Sequence, residues 1–422
     1  MSKQSQTPRR VVVTGLGSLC GLGNNRDKVW SQLISGKSGV QTFTFNYKDK
    51  LPTQFGGQVN DFQISDHLIS PKEQPRFDRF IHFAVHAANE ALEQAQVNAL
   101  PMSYPAHKRG CILGVGMGGF PLIEENYQIY TEKGAKRVTP FFIPSVIPNM
   151  APGLISIVFQ LKGINYSISS ACASSGHAIM SAAMEIAYGN HDMMITGGSE
   201  SVLSILPISG FSSMKALSKQ SEQPALASRP FDKNRDGFII GEGAGVLVLE
   251  SLDGAIERQA TIYAELAGWS GNSDAHHITA PHPEGDGASE CMKDCILKAG
   301  LRPEDIDYVN AHGTSTPLGD IAETKALKKT FGSHAHHLLI SSTKSMTGHL
   351  LGAAGGIESV FCVQALHHGI IPPTINLHDP DPECDLNYVP LKAIKKDIRY
   401  ALNNTFGFGG TNASLIFKKY EP

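Results

Sequence analysis

Short runs rich in Val, Ile and Leu alternate with stretches of helical periodicity along most of this chain, and that alternation restricts it to an α/β fold with sheets packed between helices. The β-like runs fall at Arg10–Val13, Gly110–Leu113, Asp192–Thr196, Gly245–Glu250, Ile306–Val309, Leu338–Ser341 and Ser414–Phe417. Helical patterns cover Phe77–Gln96, Ala173–Tyr188, Gly287–Ala299, Ile321–Phe331 and Ala353–His367. A strand, a serine-rich turn and a small-residue helix surround Cys172. They are echoed by Leu338–Ser341, the turn Thr343–Gly348 and the helix after Gly352-Ala353-Ala354-Gly355-Gly356, which is the pattern of a duplicated unit. The polar Gly271-Asn272-Ser273-Asp274 after Tyr263–Trp269 puts the boundary near 262–270, giving halves 1–265 and 266–422. No low-complexity linker separates them, so their interface is the expected place for a site.

The chain has 422 residues and a net charge of -3, which gives no general reason to expect nucleic acid or a membrane surface as partner. Met1–Arg10 is polar and basic, and Val11-Val12-Val13 runs at once into Thr14-Gly15, too short for a signal sequence; no run approaches a membrane span. Seven scattered cysteines suit a reducing, cytoplasmic setting. Cys291 and Cys295 lack a second ligand pair and read as core, while His334, His336 and His337 read as a solvated loop. His82 and His86, i and i+4 without an HExxH context, read as ordinary helix-face residues.

Cys172 stands where the run Asn165-Tyr166-Ser167-Ile168 gives way to a helix. A thiol at a helix N-terminus meets unpaired amides and the positive end of the dipole, which favour thiolate and leave room for a carbonyl to approach. An isolated cysteine is more often an inert core residue. Three further segments weigh against that reading, since each carries polar residues in glycine-rich turns. They are Asn310-Ala311-His312-Gly313-Thr314-Ser315-Thr316, Ser342-Thr343-Lys344-Ser345-Met346-Thr347-Gly348-His349 and Asn404-Thr405-Phe406-Gly407-Phe408-Gly409-Gly410-Thr411-Asn412.

Taken together, these motifs resemble the β-ketoacyl-acyl carrier protein synthases of the thiolase superfamily, nearly end to end. Leu122-Ile123-Glu124-Glu125-Asn126 and Ser228-Arg229-Pro230-Phe231-Asp232 are most similar to the elongation-type synthase II branch, whereas Tyr166–Ala173 leans toward synthase I. The resemblance implies a thiolase-like fold of two similar halves in a five-layered α-β-α-β-α arrangement, a homodimer, and no cofactor beyond the phosphopantetheine arm of the carrier protein. It implies Cys172 as acyl nucleophile, the backbone N–H groups of Cys172 and Phe408 as oxyanion hole, and His312 and His349 as donors to the malonyl thioester carbonyl. Lys344 would orient His349, and Glu358 would balance Lys344. Thr314 and Thr316 would bind pantetheine, Phe406 would border the same substrate site, Phe408 would gate it, and Asp274 and Thr279 would belong to the facing loop. Met117 and Phe211 would line the acyl tunnel. Lys72, Arg76, Lys136, Arg137 and Lys215 would dock the acidic carrier, and Asn310, Glu358 and Asn404 mark where some members hold a monovalent cation.

The implied reaction is decarboxylating Claisen condensation of acyl- with malonyl-acyl carrier protein. A polyketide ketosynthase would use the same residues, while a non-catalytic chain-length partner would lack the cysteine. A biosynthetic thiolase would bring a second cysteine as base, and a cysteine peptidase has no use for the Lys344 and Phe408 segments.

Overall fold

The computed structural model describes residues 8–45, 47–97 and 104–421; positions 1–7 of the basic N-terminal stretch lie outside them. Ten strands form one sheet. The first five are β1 (Val11–Cys20), β2 (Arg109–Gly114), β3 (Asn165–Ile168), β4 (Met193–Glu200) and β5 (Gly243–Ser251). The second five are β6 (Ala264–Ser273), β7 (Tyr308–Asn310), β8 (Leu339–Ser341), β9 (Tyr400–Gly407) and β10 (Thr411–Lys419). Their order across the sheet is β8-β7-β9-β10-β6-β1-β5-β4-β2-β3.

Read outward from the centre, the two sides are the same object. In the first, β1 pairs antiparallel with β5 and β5 with β4, after which β4, β2 and β3 run parallel. In the second, β6, β10, β9, β7 and β8 repeat that sequence of directions. The seam between them consists of three residue pairs, from Val11 with Leu266 to Val13 with Ala264. A division at 265/266 falls just inside β6.

Parallel strands need crossover helices, and here those helices build the layers. α1 (Arg79–Ala95) covers β1 and β5 on one outer face, and α3 (Asp286–Lys298) covers β6 and β10 on the other, with α4 (Pro317–Phe331) packed beside α3. α2 (Ser174–Ala187) and α5 (Ala354–His368), the equivalent crossovers of the two halves, pack together between them. The inner strands such as β1 and β5 are therefore buried on both faces, as a parallel α/β sheet requires, while the edge strand β3 stays partly exposed. Leu247 and Leu249 of β5 join the central core with Leu415 and Phe417 of β10, while Val246 and Val248 face α1 and Ile416 faces α3. Cys295 belongs to that α3 core, and the thiols of Cys291 and Cys295 donate to the carbonyls of Ser270 and Ser414 at 3.5 and 3.3 Å.

Three elements differ from the sequence expectation. β1 runs on to Cys20 through Gly15 and Gly17, because a Cβ at either would strike the backbone of Ala91 or Ala87 in α1. The stretch Ala264–Ser273, expected as a boundary, is a full strand whose Gly268 lets α3 approach to where a Cβ would lie 2.9 Å from the Cys295 carbonyl oxygen. The Asn404–Gly407 part of the last glycine-rich motif is strand as well, paired along its length with β10.

Candidate active site

Every segment singled out by the motifs follows the C-terminal end of a strand. Cys172 comes after β3, His312 after β7, Lys344 and His349 after β8, Met117 after β2, and Phe406 to Phe408 close β9. The two halves turn those ends toward each other, and between them lies a cavity of about 620 Å³. Cys172, His312, His349, Thr314, Thr316, Met117, Phe211, Phe406, Phe408, Asp274, Thr279 and Lys215 all line it.

Ala171 takes a left-handed φ of 49°, uncommon for a residue with a side chain, and so turns the chain sharply at the nucleophile before α2 begins at Ser174. Gly407 admits this turn, since a Cβ there would lie 2.9 Å from the Ser170 carbonyl oxygen. The Cys172 Sγ sits 3.0 Å from His349 Nε2. The expectation of a ready-made thiolate is corrected here. Burial, with the Glu200 charge adding to it, pushes the thiol up to about 12 against the lowering by Lys344 and the Phe408 amide, so the resting residue is a thiol.

His349 is buried, its ring edge-on to Phe238 and to His312, with both pairs of centroids 5.4 Å apart. Burial first and the Lys344 charge second hold both histidines well below the usual range, with His349 adding to the effect on His312. Both imidazoles are therefore neutral at pH 7. Lys344 lies in the wall behind them, paired with Glu358; each side chain is 2% exposed. Burial pushes the Glu358 carboxyl up to about 7 despite that partner.

Thr314 and Thr316 meet through their hydroxyls at 3.1 Å on the cavity wall. Asp274 is the clasp of the facing loop, accepting from Asn412 Nδ2 at 2.7 Å and from the His282 N–H at 3.1 Å, while the Gly409 N–H donates to Ile278. Phe211 stands between Phe408 and Phe238, with centroid distances of 6.4 and 5.3 Å, so an aromatic chain joins Phe408 to His349.

Of the basic residues, Lys215 alone lines the cavity; Lys72, Lys136 and Arg137 are exposed away from it, and Arg76 lies over the Phe141 ring at 4.3 Å. The Asn404 side chain does not share a layer with Glu358. It turns outward to Ser414 Oγ at 2.8 Å and Met292 Sδ at 3.2 Å, and Asn403 takes the inward position beside Asn310. Among the described residues, Asn310 Oδ1, Asn403 Oδ1 and Glu358 Oε2 are buried acceptors without a hydrogen-bond partner.

Two carboxylates escape the sequence reading. Glu323 of α4 accepts the N–H groups of His312 and Gly313 at 2.8 and 2.7 Å, fixing that loop. Glu200, last residue of β4, lines the cavity itself. An acidic residue closing the apolar, glycine-rich run Met193-Met194-Ile195-Thr196-Gly197-Gly198-Ser199 was its one visible signal.

A cysteine, two neutral histidines and a buried lysine at the meeting of two similar halves define a condensing-enzyme site, and the chain belongs to the β-ketoacyl synthase family. The family's N-terminal domain model matches residues 8–255 and its C-terminal domain model residues 263–378. The chain is 46% identical over 411 residues to 3-oxoacyl-acyl-carrier-protein synthase 2 of Coxiella burnetii, covering 97% of this chain and 99% of that protein. The protein of the same name from Synechocystis is 46% identical over 414 residues, 98% of this chain and 99% of the other. Among solved structures, a β-ketoacyl synthase from Burkholderia phymatum superposes with a TM-score of 0.90 at 35% identity, covering 98% of this chain and all of that one. A type II polyketide ketosynthase complex with its acyl-carrier protein, bound to the hexaketide, also gives 0.90, at 32% identity over 98% of this chain.

Proposed function

We propose that this chain condenses acyl-acyl carrier protein with malonyl-acyl carrier protein, releasing CO2 and free carrier protein and forming 3-oxoacyl-acyl carrier protein in fatty acid elongation. The observation that carries the reading is the 3.0 Å approach of Cys172 Sγ to a neutral His349, with Phe408 and His312 lining the same cavity.

In the first half-reaction Cys172 attacks the acyl thioester. Its proton goes to the departing pantetheine thiol, and the Cys172 and Phe408 N–H groups receive the oxyanion. In the second, malonyl-pantetheine lies along Thr314 and Thr316 with its thioester carbonyl toward His312 and His349. Breaking the bond to the carboxylate sends its electron pair into that carbonyl, where two N–H donors stabilise the enolate; no base is needed to remove a carbon-bound proton. The enolate carbon attacks acyl-Cys172, and the sulfur leaves as thiolate and takes up one proton from solvent. Lys344 keeps both imidazoles neutral, and Glu358 keeps Lys344 in place.

Met117 and Phe211 border the acyl chain, Met being supple enough to move for a long one. Phe408, Asp274 and Thr279 form the gate. A monovalent cation would be held by Asn310, Glu358 and Asn403 beside the Asn404 backbone, supplying only charge balance behind the site. The edge strand β3, with Ile157, Ile164, Met184 and Tyr188 exposed around it, suits pairing with a second copy, which sedimentation would read as a two-chain mass. The halves 1–265 and 266–422 are the units of the duplication. Seven free, buried cysteines suit the cytoplasm, and no described helix is long and apolar enough to cross a membrane.

Intact mass tests the reading. With decanoyl-acyl carrier protein the protein is expected to gain one decanoyl group, and malonyl-acyl carrier protein is expected to discharge it as 3-oxododecanoyl product; no adduct with an active carrier substrate would sink the proposal. Lys215, at the cavity mouth, and the patch of Lys72, Arg76, Lys136 and Arg137 are proposed to meet the acidic carrier. Lys215→Glu is expected to raise the KM for acyl carrier about 3- to 10-fold at low salt with kcat kept, and an unchanged KM would remove Lys215 from the docking surface.

A further inference from the structure

Glu200 is a carboxylate buried in the wall of an acyl cavity, where a charge is costly unless something specific holds it. Among the described residues its hydrogen-bond partners are backbone amides from two separate loops. Oε2 accepts from Gly116 at 2.9 Å and from Gly352 at 3.1 Å, and Oε1 accepts from Met117 at 3.2 Å. The first loop carries Met117 at the acyl end of the cavity. The second is the turn that leaves His349, and it contains Leu351, which has a left-handed φ of 48° and packs in the same apolar cluster as Cys172, Met117 and Phe211.

The fit is built from both sides. A Cβ on Gly116 would lie 2.5 Å from Glu200 Oε2, and one on Gly352 would lie 2.6 Å from the same atom. Two glycines therefore make room for one carboxylate, and the carboxylate in turn satisfies N–H groups that no sheet or helix partner reaches. A neutral amide could not replace it. Three N–H donors on two oxygens require acceptors at both positions, and the NH2 of a glutamine would face an N–H with its own.

We propose that Glu200 is a positioning residue for acyl-chain selection, tying the Met117 loop to the His349 turn so that the acyl pocket keeps its length while the catalytic histidine keeps its place. This rests on the reading that Met117 borders the acyl chain.

The test compares kcat/KM for octanoyl- and hexadecanoyl-acyl carrier protein in wild type, Glu200→Gln, Met117→Ala and the double variant. Glu200→Gln is expected to change the ratio of the two substrates by about five-fold or more, with the KM for malonyl-acyl carrier protein changed less than about two-fold. In the Met117→Ala background the same substitution is expected to move the ratio by less than about two-fold, because both act on one loop. Equal slowing of both acyl substrates by Glu200→Gln, or an unchanged ratio, overturns the proposal. If Met117→Ala alone leaves the ratio unchanged, the reading of Met117 fails instead. Glu200→Asp keeps the charge but is one methylene too short to reach both loops, so it is expected to shift the ratio as Glu200→Gln does. It stands in should the glutamine variant not fold, and an unchanged ratio there overturns the proposal equally.

Discussion

Cys172→Ala is expected to take up no acyl group from acyl-acyl carrier protein and to lose condensation by about 10⁴-fold or more, while keeping its fold and its release of CO2 from malonyl-acyl carrier protein. The separation follows from the geometry. In the proposed mechanism the sulfur carries the acyl chain, but the enolate is stabilised by His312 and His349, whose rings stand edge-on and neutral across the cavity. His312→Ala and His349→Ala are the complementary cases, each losing decarboxylation by about 10²- to 10³-fold through one missing donor. Mass spectrometry of the protein and trapping of labelled CO2 read the two halves of the reaction independently. If Cys172→Ala lost both together, the division of labour drawn above would be wrong.

Lys344→Ala is expected to strike rate and stability through one charge. Without it the two imidazoles lose the second-largest influence holding their pKa values down, so the acid limb of the pH–rate profile moves to higher pH, and condensation falls about 10²- to 10³-fold near pH 7. The same substitution leaves Glu358 alone in a buried wall. Burial already pushes that carboxyl up to about 7, above its value in the unfolded chain, so stability is lost as pH rises through that range. The loss in the variant should approach about 3–5 kcal/mol well above pH 7 and be smaller at pH 6, where Glu358 can take up a proton. Denaturant unfolding at the two pH values checks the sign. Adding Glu358→Gln should recover stability without recovering rate.

The sequence carried the site further than it carried the fold. Cys172, His312, Lys344 and His349 were legible because each stands in a turn rich in glycine and hydroxyl residues rather than in an apolar run, and the structure gathers all four at the cavity, with Cys172 and the Lys344–His349 turn following the equivalent strands β3 and β8. Strands β6 and β9 were hidden for the opposite reason. Their Gly, Asn and Ser residues look like turn chemistry, yet they serve the close approach of α3 and the hydrogen bonding of buried side chains such as Ser414 to Asn404. Glu200 and Glu323 were hidden because their partners are backbone amides, which leave no mark in a side-chain motif. The state of the thiol was misread because a helix terminus is local and visible in sequence, whereas burial is a property of the assembled halves.

The seam between β1 and β6 is only three residue pairs long, yet the nucleophile hangs from one side of it and both histidines from the other. Neither copy of the repeat can therefore be lost, exchanged or allowed to drift alone. A substitution far from the cavity that slides one half an ångström along the other would part Cys172 from His349 without touching either. The packing of α2 against α5 is in that sense the jig on which the reaction is aligned, and damage to it would appear first as lost turnover in a protein that still looks folded.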